Sequence, residues 1–135
     1  MNEIIKEILK IFVSWTKLKV KIHLSEREVY PKIRGIWWVS LGQNIGVETN
    51  GKNDKFERPV VVIKVFNNSS VLVAPISSIV KENKYCIKFI NEDKEENIIK
   101  MSQIRSISTK RFVRYVGELK IDDFEKVKRV YLSFV

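Results

Sequence analysis

The chain carries one cysteine, Cys86, and one histidine, His23. A single thiol cannot form an internal disulfide, and it suits a reducing, cytoplasmic setting. One of each cannot build a Cys/His zinc cluster. Nor can a histidine pair run acid–base chemistry on a phosphodiester. Any catalysis must therefore use arginine, lysine, carboxylates or hydroxyls, and no metal site is expected. No apolar stretch is long enough to span a bilayer. Lys6 and Lys10 interrupt the first apolar run and no small-residue cleavage site follows, so it does not read as a secretory signal. With three prolines and five glycines in the whole sequence, no segment is low-complexity, and no internal repeat is visible.

The chain is long enough, at 135 residues, for one domain with a modest core. Hydrophobic residues make up 44% and charged residues 30%, a globular rather than a disordered composition. The formal net charge is +9. A domain this basic attracts polyanions: nucleic acid, anionic lipid or an acidic protein. The bland alternative is charge that merely aids solubility.

Residues 2–23 read as a helix, because Ile4, Ile5, Ile8, Leu9, Phe12, Val13 and Thr16 recur at helical spacing. Such a basic amphipathic helix can lie on a membrane, dock a partner or pack on its own domain, and the last is the expectation. "LSEREVYPK" (24–32) is polar, contains Pro31 and reads as a linker. The chain thus divides into an N-terminal helix and linker, 1–30, and a main domain, 31–135. "IRGIWWVSL" (33–41) reads as a strand. "GQNIGVETNGKNDKFE" (42–57) reads as a long mobile loop. "PVVVIKVF" (59–66), the turn "NNSS" and "VLVAPIS" (71–77) form a hairpin whose first strand is buried on both faces. "KYCIKFI" (84–90), with Cys86 as a small core residue, and "NIIKM" (97–101) flank an acidic turn. "QIRSIS" (103–108) reads as a bend or helical turn and "RFVRYVGEL" (111–119) as a final strand. "IDDFEKVKRVYLSFV" reads as a closing helix, with Asp122 and Glu125 spaced as a near capping box. Short strands with a terminal helix suggest an α+β, mainly β fold: a small, strongly bent antiparallel sheet or barrel.

The ordered set "RGIWWVSLGQNIGVE", "RPVVVIKV", "VLVAPISS" and "QIRSIS" resembles the MazF/PemK family of toxins over about residues 33–134. The resemblance implies an SH3-like, plasmid-maintenance-toxin barrel that forms a homodimer. It implies a metal-independent, sequence-specific endoribonuclease acting on single-stranded RNA without the ribosome, with no cofactor. It also implies a cognate antitoxin that buries the active groove, with DNA bound only through the antitoxin complex and no membrane partner. Three departures stand out. The family's G-S-E-Q loop appears as Gly46-Val47-Glu48-Thr49, extended by "NGKNDKF"; Ser77 takes the place of a threonine; and residues 1–32 have no counterpart in compact members.

In that frame Arg58, Ser77 and Glu48 are the catalytic candidates. Arg58 offers a planar, permanently charged fork for two phosphate oxygens. Ser77 offers a hydroxyl to a non-bridging oxygen or the leaving group, though without the resemblance a hydroxyl at a strand end reads first as a cap. Glu48 matches the loop glutamate and is the nearest candidate base. Lys52, Lys55 and Phe56 in the long loop, with Ser78, Gln103 and Arg105, are candidate RNA contacts. Trp37 and Trp38 are adjacent and face opposite ways on a strand, so one is expected in the core. The runs "KLKVK" (17–21) and "KRFVR" (110–114) could track phosphates. The rival readings are a gyrase-poisoning toxin on the same barrel and a noncatalytic binding module led by the N-terminal helix.

Overall fold

The computed structural model describes residues 2–135. Helix α1 (Glu3–Leu24) precedes strands β1 (Gly35–Ser40), β2 (Glu57–Asn67), β3 (Ser70–Ser77), β4 (Cys86–Ile90), β5 (Glu96–Lys100), β6 (Arg105–Ser108) and β7 (Phe112–Glu118), and α2 (Ile121–Leu132) closes the chain. The strands form one bent antiparallel sheet in the order β4-β5-β3-β2-β1-β7, with β6 also paired to β3. The α+β, mainly β reading holds.

The β2–β3 hairpin is the centre of the molecule. Val61, Ile63, Ala74 and Ile76 face one cluster with Ile87, Phe89, Ile99, Leu119 and the α2 residues Phe124 and Val127. Val60, Val62, Val71 and Val73 face the other, with Val39, Leu41, Ile107 and Phe112. Both faces are buried, which is why "PVVVIKVF" lacks the alternation of a half-exposed strand. β3 pairs with β2 as far as Pro75, then turns to β5 through Ile76 and Ser77. That change of partner bends the sheet and carries the end of β3 toward the start of β2.

Four local expectations are corrected. "QIRSIS" is a 3-10 turn (Met101–Gln103) followed by a true strand, because buried Ile107 lets Arg105–Ser108 pair along β3. The capping box does not form: α2 starts at Ile121 after Lys120, which supplies no side-chain cap, and Asp122 and Asp123 favour the helix only through its dipole. Cys86 is half-buried, not a core residue. The long loop is braced rather than free: the Leu41 and Gly42 N–H groups donate to the Phe56 carbonyl (2.8 and 3.2 Å), Gly51 donates to Gly42 (2.8 Å), and Lys52 and Glu57 exchange backbone bonds.

Helix α1 begins on Asn2, whose side chain accepts from the Ile5 N–H at 2.9 Å. Its expected packing on the domain is realised only in part. Trp15 is its one buried residue among those described; its ring lies against Phe56 at 5.5 Å and under the Arg111 guanidinium at 5.7 Å. Phe12, Leu18 and Ile22 are half-buried on the same side, and Lys110 Nζ donates to the His23 carbonyl at 2.8 Å. The other "KRFVR" cations are also engaged in the fold: Arg111 donates to the Ser40 and Leu41 carbonyls and Arg114 to Glu57. Gly42 permits the helix to dock. Its φ is +98°, and a Cβ there would lie 2.5 Å from the Trp15 ring. Gly42→Ala is expected to cost more than about 1 kcal/mol through strain and clash, seen as a lower Tm with a changed Trp15 fluorescence.

Candidate active site

Arg58 stands at the head of β2, opposite Val39 of β1. The β2–β3 register runs as far as the pair Val60–Pro75; Arg58 lies two residues before it and Ser77 two residues after it, where β3 has turned to pair with β5. The guanidinium is held by its neighbours: Nε donates to the Asn50 carbonyl at 2.6 Å and Nη1 to the Ile76 carbonyl at 3.5 Å. Burial pushes its proton affinity below the usual arginine range, yet an arginine keeps its charge at neutral pH. The result is a half-buried, oriented cation lining a cleft of about 370 Å³. Lys52 and Ser78 line the same cleft, over an apolar floor that includes Trp38, Ile76 and Phe89.

Ser77 is 9% exposed, and its Oγ accepts from the Ile79 N–H at 3.1 Å. Ser78 is the exposed member of the pair and the one that lines the cleft. Glu48, Gln103 and Arg105 line a second cleft of about 410 Å³, with Asn44, Thr49 and Pro75. Glu48 Oε1 accepts from the Ile45 N–H at 3.0 Å. Gln103 clamps the loop, accepting from the Thr49 N–H (3.0 Å) and donating to the Val47 carbonyl (3.3 Å). Thr49 lines this second cleft, and the next residue, Asn50, holds the arginine of the first. Lys55 is exposed and lines neither cleft. Phe56 is corrected: its ring is 7% exposed beneath Trp15 and offers no face to a base. Trp37 packs edge-on to Phe112 and Tyr115, and Trp38 carries the Arg114 guanidinium at 4.7 Å.

Two features of the site have no local sequence signal. Lys100 ends β5, which lies beside β3 because Ser77 pairs with Ile98. Its Nζ donates to Thr49 Oγ1 at 2.9 Å. Burial, then repulsion from Arg58 and Lys81, lowers its pKa from the ordinary lysine value. Glu57, 4% exposed, accepts from Arg114 (3.2 and 3.3 Å) and from Asn53 (3.2 Å). This carboxylate holds Arg114 over Trp38 at the cleft wall. Asp93 and Glu95 of the β4–β5 turn also line this cleft.

The bent antiparallel fold is shared by solved structures. MazF from Deinococcus radiodurans superimposes with a TM-score of 0.65 at 16% identity, covering 79% of this chain and 97% of that one. The MazE–MazF complex from the same organism gives 0.61 at 14% identity, covering 79% and 96%. A mycobacterial endoribonuclease in complex with its cognate antitoxin gives 0.60 at 10% identity, covering 76% and 92%. No curated sequence is similar enough to count as a match. The model of the PemK-like, MazF-like toxins of type II toxin-antitoxin systems matches residues 32–134. The chain belongs to that family.

Proposed function

We propose that the chain is an endoribonuclease toxin that cuts single-stranded RNA in the Arg58 cleft without a metal. The carrying observation is Arg58 itself: a half-buried guanidinium, fixed by two backbone carbonyls, facing an open cleft. In the reaction the RNA 2′-oxygen attacks the adjacent phosphorus and the P–O5′ bond breaks. The 2′-hydroxyl proton leaves to a base and the departing 5′-oxygen takes one up. The products are a 2′,3′-cyclic phosphate and a 5′-hydroxyl. Arg58 meets the charge that grows on the non-bridging oxygens, with Lys52 and Lys100 adding to the field. A hydroxyl of the Ser77–Ser78 pair supports the same phosphate. Glu48, Gln103 and Arg105 contact the neighbouring nucleotide in the second cleft, with Glu48 the candidate base. The toxin acts in the cytoplasm as a homodimer, and its antitoxin covers both clefts.

The direct experiment is incubation of the purified protein with a long single-stranded RNA in EDTA, beside Arg58→Ala. Discrete cuts by the wild type and none by the variant are expected. Intact RNA with folded wild-type protein would favour a gyrase-type poison or a binding module instead, and equal cutting by both would put the active site elsewhere.

Lys100 adds a pH signature. As an ammonium it adds to the field at the phosphate, so kcat/KM is expected to fall as pH rises through its lowered pKa. Lys100→Arg is expected to move that alkaline limb upward. For stability the sign is opposite. A lysine depressed in the fold disfavours the native state below its folded pKa, and the penalty fades as pH rises through that value. Lys100→Gln is therefore expected to raise Tm at neutral pH while slowing cleavage.

A further inference from the structure

Trp15 is buried, yet it belongs to neither barrel core. Its ring sits where three segments leading to the Arg58 cleft meet. On one side is the end of β1. Gly42 lies against the indole with no room for a Cβ, and the Arg111 guanidinium over the ring donates to the Ser40 and Leu41 carbonyls, both at 3.2 Å. On the other side is Phe56, just before β2. The loop lies between them. Gly51 donates to the Gly42 carbonyl at 2.8 Å and packs so closely on the Phe56 carbonyl that a Cβ there would not fit.

Phe56 has φ +53°, a left-handed conformation that a bulky residue adopts only under constraint. Its ring is covered by Trp15, and its carbonyl accepts from Leu41 and Gly42 at 2.8 and 3.2 Å. Arg58 stands two residues further on. The carbonyl that holds the Arg58 Nε, at 2.6 Å, belongs to Asn50, the neighbour of Gly51. Both partners of that bond are thus anchored within two residues of the Trp15 contact. The other ties between this part of the chain and the barrel are exposed hydrogen bonds, from Lys110 to the His23 carbonyl and from Arg27 to the Val113 carbonyl.

We infer that α1 braces the active site, with Trp15 as a positioning residue for Arg58. When Trp15 leaves, Phe56 is uncovered and its constrained backbone relaxes. The start of β2 and the loop at Asn50 then separate, and the guanidinium loses its fixed aim. α1 lies wholly before the family match, which begins at residue 32, so the brace comes from outside the matched region. Its effect on cleavage rests on the reading of Arg58 as the group that meets the phosphate; its effect on the guanidinium's position does not.

Graded substitution in the full chain tests this. Trp15→Phe keeps a ring on Phe56, Trp15→Leu keeps only apolar bulk, and Trp15→Ala removes both. Neither core contains Trp15, so the strands are expected to stay formed, which circular dichroism checks. The first readout is the exchange rate of the Arg58 Nε–H, followed by NMR. It is expected to rise in the order Phe, Leu, Ala, by about tenfold or more for Ala. The second is cleavage per folded molecule. Here kcat is expected to fall in the same order, about 10- to 100-fold for Ala, with KM little changed. Trp15→Ala added to Arg58→Ala should lower cleavage no further. If Trp15→Ala unfolds, the Phe and Leu variants still give the order. Exchange at the wild-type rate in the folded Leu and Ala variants would overturn the inference. So would a wild-type kcat where exchange is faster, or a change in KM alone. RNA left intact by the wild type would remove the Arg58 reading, while the exchange rates would still decide whether α1 holds the guanidinium.

Discussion

Arg58→Ala is expected to lower RNA cleavage by about 100- to 1,000-fold or more, the usual consequence of removing a fixed donor aimed at developing charge. The fold should barely register the loss. Arg58 pays a burial penalty for its charge, and its bonds run to carbonyls that water in the open cleft can reach. Tm is therefore expected to move by no more than the equivalent of about 1 kcal/mol. Arg58→Lys separates charge from shape. A lysine keeps the cation but cannot hold the Asn50 carbonyl and face two phosphate oxygens together. It should recover only a small part of the rate. Single-turnover rates with saturating protein, beside thermal melts of the same preparations, check both halves.

Phe112→Ala is the mirror image. Phe112 is fully buried in the cluster beneath β1 and β3, and its ring meets Trp37 edge-on at 5.4 Å. Removing it leaves a cavity that neighbouring β-branched valines fill poorly. The expected cost is about 3–5 kcal/mol, or a Tm lower by some 10–20 °C for a domain of this size. At a temperature where the variant is still folded, cleavage per folded molecule should stay within about twofold, because Phe112 touches neither cleft. Loss of activity in step with Arg58→Ala would mean that the barrel face transmits to the site.

These two residues also show what the sequence could reveal. The unbroken apolar run from Val60 to Ile63 marks a strand buried on both faces, and the structure places its residues in two cores. Arg58 and Gln103 became candidates only through the family resemblance, since an arginine heading a strand is by itself as readily a surface residue; the structure places Arg58 in one cleft and Gln103 in the other. Lys100 and Glu57 were not candidates. Each owes its place to pairings between strands far apart in sequence, Ser77 with Ile98 and Ser40 with Glu57, which no local pattern encodes. Phe56 misled for the same reason: an aromatic in a lysine-rich loop suggests a stacking surface, until Trp15 arrives from 41 positions earlier and covers it. The loop itself was expected to be mobile because its residues are polar and glycine-rich. Those same polar groups brace it, through Asn44, Thr49, Asn50 and Gln103. Polar composition signals hydrogen-bonding capacity, not where the bonds go.

The central claim is that this cleft makes RNA cut itself through its own 2′-hydroxyl. The measurement that tests it most directly uses a short single-stranded RNA containing the mapped cut site, compared in EDTA with the same oligonucleotide carrying one 2′-deoxy sugar immediately 5′ of that bond. The account predicts that the all-RNA strand yields a 2′,3′-cyclic phosphate and a 5′-hydroxyl, and that the single deoxy substitution abolishes cleavage at that bond. Cleavage of the deoxy-substituted strand at the same position would show that water or a protein group, not the RNA, supplies the attacking oxygen, and would contradict the account.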